Sequence, residues 1–552
     1  MATAAQDVAR TLKALGTRRV FALCADQTNS LLDALSGEGI PVVGTRQESA
    51  AVHMADGWAR ATGEPGVAIV GAGPGYANSV TGFAVSQSAA TPVIVIAGQP
   101  PLHTRERNGH QILHQADITR TLTKWSQEIT SPAIATEFVC RGFAMATSGK
   151  PGPVSLSMPL NVLDGDPKAS VYRPVRHNWW PHDSSAMRGP EIDHALELLK
   201  SARNPIIVIG GGAWWELKRS DLAAIARQLR MPVFTTELSR GLIEDDGQIC
   251  FGYAHPSFNR TFREIPASDL LILVGTEMNL HTGAPARNLI GRSARILQLH
   301  RDAGQIGIGR PTDVALIGPL KSALEALADG LAPSVTEHYQ PWLDHIRKRY
   351  AAHREEWNAL KNRHAGGASG EIHPMQVCAS LARHYSEEVR VIIDGGDFVH
   401  WPRLYLPALS PGYWMDGAEI GALGASLPVG IGAQLGSPAQ QTWVFIGDGG
   451  IGFYGFEIST AVESRLPLKV IIGNDSCWGV ERRLQRKQYG RTVATDLPDI
   501  QYHALAQSLG ARGLLVEDLG KLDSAVDEMV ESDGPFVLNI RIARDAGRPL
   551  MD

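Results

Sequence analysis

The sequence predicts an α/β protein of three doubly wound parallel-sheet blocks. Three observations carry that reading. Short apolar runs alternate with helical runs along the whole chain, the pattern of βαβ units. The length of 552 residues suits roughly three domains of ordinary size. Residues 443–475 run strand, Gly-Asp-Gly-Gly, helix, strand, Asn-Asp. That is one βαβ unit with polar groups at the carboxyl ends of both strands, the edge where open parallel sheets bind ligands.

In chain order, the first block spans 1–165. It opens on an amphipathic helix and carries the strand candidates VFALC, PVVGT, GVAIV, TPVIVIAG and GPVSLSMP. Residues 166–188 mix prolines and charge without a period and read as a linker. The second block, 189–335, has the strands NPIIVIGGG, MPVFTTE, LLILVG and ARILQLH. VIGGGAWWE resembles a dinucleotide turn, a weak signal by itself. Residues 336–370 are charged and helical and end in a Gly/Ser-rich link. The third block, 371–552, has VRVIIDGG, QQTWVFIG, LKVIIGN and PFVLNIRIA. No close internal repeat is visible.

Composition excludes several classes. Hydrophobic residues make up 44% and charged residues 20%, enough for sizeable cores. A net charge of −5 argues against a general nucleic-acid binder. Five scattered cysteines form no CxxC pair, which predicts free thiols in a reducing compartment. The N-terminus carries charge and does not read as a signal peptide. No run of 18 apolar residues predicts a membrane span. A cytoplasmic location is expected.

The chemistry concentrates in the third block. Asp448 and Asp475 fall on adjacent strand ends joined by one crossover. Two carboxylates that close need a cation, and hard oxygen ligands suit Mg²⁺. Gly447, Gly449 and Gly450 let backbone amides approach a diphosphate at a helix N-terminus. In the first block Glu48 begins a helix whose small residues predict close packing. By itself such a carboxylate reads as a cap or a solvated charge.

The GDG…GND spacing resembles the fingerprint of thiamine-diphosphate enzymes. The resemblance implies that Asp448 and Asp475 hold Mg²⁺ with the Cys477 carbonyl; many members carry Asn where this chain has Asp475. The segment RQESAAVHMADGWARATG resembles the pyrimidine-binding domain of acetolactate synthase and benzaldehyde lyase. It implies that Glu48 is the catalytic activator of the cofactor's pyrimidine, buried so that desolvation raises its pKa. GAGPGYANSVTG implies Pro74, Gly75 and Asn78 beside the pyrimidine. The three blocks then become pyrimidine, middle and diphosphate domains. The resemblance also implies active sites between subunits of a homodimer or homotetramer, with Glu48 meeting the cofactor held by a neighbour's Asp448.

Other residues carry over by position. Gln115 is expected to face the substrate and, with His114 beside it, to handle the substrate's protons; the alternative for His114 is a hydrogen-bonded loop histidine. Gln27, next to Asp26, stands where benzaldehyde lyase has a histidine. Gly421 offers its carbonyl to the cofactor, and Leu423 wedges between its rings. Asp397 and Phe398 fall at the diphosphate end with Trp478 and Gly479. Val399, Val480 and Leu484 are expected in the substrate pocket. Arg482, Arg483, Arg486, Lys487 and Arg491 form either a solvated helix face or a clamp for the phosphates of coenzyme A. Asp496 is expected to be a mobile acid closing over the site. FAD is not expected, because the arginine-rich stretch that holds it in acetolactate synthases has no counterpart in 270–305. The implied activity is carbon–carbon lyase or carboligase chemistry beside a carbonyl on a small-molecule substrate. A 2-hydroxyacyl-CoA lyase-like reaction comes first, with acetolactate-type or acyloin ligation and 2-oxo acid decarboxylation as alternatives. The non-enzymatic alternative is a regulatory protein that binds the cofactor.

Overall fold

The computed structural model describes residues 2–105, 107, 109–167, 172, 174, 187–218, 222–278, 289–364, 371–417, 420–544 and 546–547. The expected 166–188 linker and the Gly/Ser-rich end of 336–370 lie largely outside them.

The apolar runs form three six-stranded sheets in which every pairing is parallel. The first contains β1 (Val20–Ala22), β2 (Val42–Gly44), β3 (Gly66–Val70), β4 (Val93–Gln99), β5 (Trp125–Glu128) and β6 (Val154–Pro159). The second contains β7 (Pro205–Ile209), β8 (Val233–Thr235), β9 (Cys250–Tyr253), β10 (Leu270–Val274), β11 (Arg295–His300) and β12 (Val314–Ile317). The third contains β13 (Val389–Ile393), β14 (Trp414–Asp416), β15 (Gln441–Gly447), β16 (Leu468–Asn474), β17 (Arg512–Val516) and β18 (Phe536–Arg541). The central strands are buried on both faces, so they read as continuous apolar runs.

Sheet order exposes a symmetry hidden in the sequence. The first sheet runs β2-β1-β3-β4-β6-β5 and the third runs β14-β13-β15-β16-β18-β17, the same topology. The middle sheet runs β12-β11-β10-β7-β8-β9, the doubly wound dinucleotide order. Five strands were not expected: β5, β9, β12, β14 and β17. Most are sheet-edge strands or carry polar residues, which removes the apolar run that marks a buried strand. In the middle sheet, Gly212 N donates to Gly275 O at 2.9 Å. The glycines after β7 thus serve the close approach of neighbouring strand ends.

The first and third blocks share one core. It joins Phe21, Val52 and Tyr76 to Ile392, Val429 and Val537. At its centre the helix Glu48–Thr62 crosses the helix Ser426–Gly436 at backbone contact distance. A Cβ on Gly57 would lie 2.0 Å from Val429 O, and one on Gly432 would lie 1.9 Å from Met54 O. This is the close packing that the small residues predicted. The middle block has its own core, to which the front of the helix Gln340–His364 adds Trp342 and Ile346. All five cysteines are unpaired. Among the described residues no helix is long and apolar enough to cross a membrane.

Gly57→Ala forces backbone against backbone and is expected to destabilise the fold by about 1–3 kcal/mol or more. Gly37, also helical, has open space around it, so Gly37→Ala is expected to be neutral or mildly stabilising. Thermal melting of both variants checks the contrast; equal melting temperatures would refute the contact.

Candidate active site

At the carboxyl edge of the third sheet lies a cavity of about 280 Å³. It opens at the switch point between β13 and β15, where the chain leaves the sheet in opposite directions. Its walls come from four loops: Gly395–Phe398 after β13, Gly421 and Leu423, Gly447–Gly450 after β15, and Gly473–Glu481 after β16. Asp397, Phe398, Gly421, Leu423, Gly447, Gly449, Gly450, Trp478, Gly479 and Val480 all line it, with Asp448, Asp475 and Cys477. Residues far apart in sequence therefore meet in one place.

Each wall has a local cause. Register pairs Gly447 with Gly473 on β15 and β16, which brings Asp448 beside the Asn474–Asp475 turn. Ser476 takes the left-handed conformation (φ 52°), and Asn474 Oδ1 accepts its amide at 3.2 Å. That turn directs Asp475 back toward Asp448. The Trp478 ring occupies the space that a Cβ on Gly449 would fill, at 2.3 Å. Leu423 lies over Gly395, whose Cβ would meet Leu423 Cδ2 at 2.6 Å.

The floor is electrostatically unsettled. Burial first, then the neighbouring Asp475, raises the Asp448 carboxyl to about 7. Burial also raises Asp475, to about 6. Asp448 Oδ2 is buried and accepts no hydrogen bond. A desolvated carboxylate oxygen with no partner beside a second carboxylate is the donor set for a hard divalent cation. Among the described residues no three acidic, histidine or cysteine side chains are placed to hold one metal ion together, so further ligands would be backbone oxygen, water or phosphate. The residues present fit a metal-bound diphosphate.

Sequence reasoning missed Asp394. It is fully buried, raised to about 6 by burial, and accepts Gly424 N at 2.9 Å. It ties the Leu423 loop to the sheet, and its Oδ2 would lie 2.4 Å from a Cβ on Gly450. The DGG after β13 echoes the GDGG after β15 and was the available signal.

The first block builds a separate half-site. Glu48 opens its helix, and its Oε2 accepts Asn78 Nδ2 at 3.1 Å. A Cβ on Gly75 would meet Glu48 Oε1 at 2.9 Å. Pro74 is exposed beside them. Glu48 itself is half-buried, not buried as expected. Among the described residues none of the first block lines the 280 Å³ cavity. The reason is the docking of residues 44–46 on the third block of the same chain: Arg46 N donates to Glu457 Oε1 at 2.8 Å, and Arg46 pairs with Glu463 at 3.0 Å.

Other expected residues stand away from the cavity lining. Gln115 is fully buried, its Nε2 donates to Gly98 O at 3.1 Å, and its Oε1 accepts Gly73 N at 3.4 Å. His114, one residue earlier, is exposed at the start of the Gln115–Ile118 helix, because the first helical residue turns inward and the one before it turns out. Gln27 is buried and donates to Gln111 Oε1 at 2.9 Å. Gln111, unforeseen, is held at φ 59° against Gly73; such strain in a non-glycine residue marks sites built for function. Val399 is fully buried in the core and Leu484 is exposed, and neither lines the cavity. Arg482 reaches Asp496, and Arg483 holds Asp397. Those two are thus engaged by carboxylates. Asp496 pairs with Arg482 and Arg544, and its backbone makes a single antiparallel bridge with Cys477. Residues 279–288, part of the stretch read against FAD, lie outside the described residues.

Residues 2–118 match the N-terminal TPP-binding domain of thiamine pyrophosphate enzymes, 192–327 the central domain and 394–540 the C-terminal TPP-binding domain. The chain belongs to the thiamine pyrophosphate enzymes. Among curated proteins, a probable acetolactate synthase of Mycobacterium bovis is 27% identical over 540 residues, covering 97% of this chain and 94% of that one. The 2-hydroxyacyl-CoA lyase 2 of Bos taurus is 29% identical over 587 residues, covering 98% and 90%. The acetolactate synthase large subunit of Parasynechococcus marenigrum is 29% identical over 514 residues, covering 90% and 80%. This thiamine pyrophosphate enzyme is similar to both kinds of relative at nearly the same level.

Because Asp448 and Asp475 sit above the ordinary 3.8, the folded chain keeps protons that the unfolded chain has released. Their contribution to stability is therefore best at low pH and falls as pH rises from about 4 through 7. Metal-free protein is expected to lose melting temperature from this pair between about pH 5.5 and 8. Saturating Mg²⁺ should restore it at pH 8, and Asp448→Asn should flatten the profile. Melting curves across that window check it; an Asp448→Asn profile parallel to wild type would contradict the assignment.

Proposed function

We propose that this enzyme breaks or forms a carbon–carbon bond beside a carbonyl, using thiamine diphosphate and Mg²⁺. The observation that carries the reading is the unpartnered, buried Asp448 Oδ2 beside Asp475 on the floor of the 280 Å³ cavity. Bound thiamine diphosphate would supply the carbon nucleophile and the electron sink. The chain does the rest. Asp448 and Asp475 would hold the metal with the Cys477 carbonyl. The Gly447–Gly450 turn and Trp478 would seat the diphosphate, Leu423 would support the ring system, and Gly421 would receive its amino group. The donor is a 2-hydroxyacyl compound, the class that the name of one kind of relative prints, with a 2-oxo acid as the alternative.

Glu48 is the proton-handling group and acts in the cavity of a second copy. Two features support this. The cavity lacks any described residue of its own first block, and large apolar side chains stand exposed around it: Ile420 52%, Phe453 57% and Phe456 65%. Exposed apolar surface of this kind marks an interface. A second copy would also complete the burial that Glu48 lacks in one chain. The homodimer is the smallest assembly with complete sites.

Glu48→Gln is expected to lower turnover by about 10²–10⁴-fold, the range of a positioned acid–base group, while cofactor binding by calorimetry stays near wild type. Co-expressing Glu48→Gln with Asp448→Asn tests the shared site. A mixed dimer has one intact and one doubly altered site, so about a quarter of wild-type activity should return. No recovery would mean that each chain completes its own site. A donor screen with pyruvate, benzoin and 2-hydroxyisobutyryl-CoA identifies the class. Cofactor binding without turnover of any donor would favour a regulatory role.

A further inference from the structure

The diphosphate cavity has an unusual charge inventory. Its described lining includes four acidic residues, Asp397, Asp448, Asp475 and Glu481, and no lysine, arginine or histidine. Asp448 and Asp475 have a task, since a divalent cation needs them. Asp397 has none there. It lines the cavity beside Phe398 and Gly479, and its side chain is only 8% exposed. Asp397 Oδ2 and Asp475 Oδ2 lie 3.3 and 3.2 Å from a single point, the position a Cβ on Gly479 would take. A third carboxylate so close to the metal-binding pair would repel a diphosphate through a poorly solvated medium.

Arg483 answers that charge from behind the wall. It projects from the helix Gly479–Tyr489 and grips Asp397 with both terminal nitrogens, at 2.5 Å to Oδ2 and 3.1 Å to Oδ1. It does not line the cavity itself. The two-pronged geometry fixes the carboxylate in place as well as neutralising it.

We propose that Arg483 is a positioning residue for cofactor binding, the counterion that lets an anionic diphosphate occupy a cavity walled by Asp397. This rests on the reading that the cavity takes Mg²⁺ and thiamine diphosphate. The charge account makes a demand that a merely structural role does not. Freeing the Asp397 charge should help a bare cation and harm a diphosphate.

The test uses the full-length protein. Mn²⁺ binding to the cofactor-free form is followed by electron paramagnetic resonance. Thiamine diphosphate binding at saturating Mg²⁺ is followed by calorimetry. Arg483→Gln is expected to tighten Mn²⁺ about threefold and to weaken thiamine diphosphate at least tenfold. Asp397→Asn should shift both in the opposite direction or leave the diphosphate unchanged. The double variant Asp397→Asn/Arg483→Gln should return diphosphate affinity to within about threefold of wild type. Should Arg483→Gln fail to fold, Asp397→Asn and the double variant still report, because neither leaves an unpaired buried carboxylate. Weakening of both ligands in Arg483→Gln, or a double variant as weak as Arg483→Gln, would overturn the proposal and mark the pair as scaffolding. Wild type that binds no thiamine diphosphate would remove the cofactor reading and this proposal with it. Wild-type binding with an unaffected Arg483→Gln would remove this proposal alone.

Discussion

Everything in the site follows from forcing two carboxylates together where water is scarce. Parallel pairing of β15 with β16 places Asp448 and Asp475 at adjoining strand ends. The surrounding loops then remove their solvent, and each carboxyl is pushed upward mainly by burial. Such an arrangement is costly without a counter-charge. It persists because the rest of the sheet fixes it, and the missing partner of Asp448 Oδ2 states what is required. In the function proposed here, a bound metal would supply that counter-charge and complete the electrostatics of the third block.

A second constraint decides where the first block can act. Gly57 and Gly432 let two helices touch backbone to backbone, and one core runs through both blocks. With Arg46, two residues earlier, paired to Glu457 and Glu463 of the same chain, that contact holds Glu48 at a fixed station outside its own cavity. The same packing that stabilises one chain therefore leaves two half-sites facing outward, each completed by a second copy in the function proposed here.

The helix after β16 shows how far residue type alone can mislead. Four basic residues on one short helix, with Arg491 just beyond it, read as either a solvated face or a surface for phosphates. Folding brings Asp397 and Asp496, distant in sequence, against two of them. Those arginines compensate acids of the cavity wall and of the segment after the helix. The Gln115 position has a similar lesson. Helix entry sets which of two adjacent side chains turns inward, and a one-residue difference separates a buried loop anchor from an exposed imidazole.

The sequence by itself determined the three α/β blocks, the family, and the Asp448–Asp475 cavity with most of its glycine-rich lining, because these depend on local period and on short motifs within one βαβ unit. Polar edge strands such as β5 and β17 escaped it, since they lack a continuous apolar run. Tertiary structure alone decided that Asp394 braces the Leu423 loop, that Gln115 is buried, and that Arg483 belongs to Asp397. Each of those is a contact between segments far apart in the chain, fixed by packing and desolvation, and no local pattern encodes either.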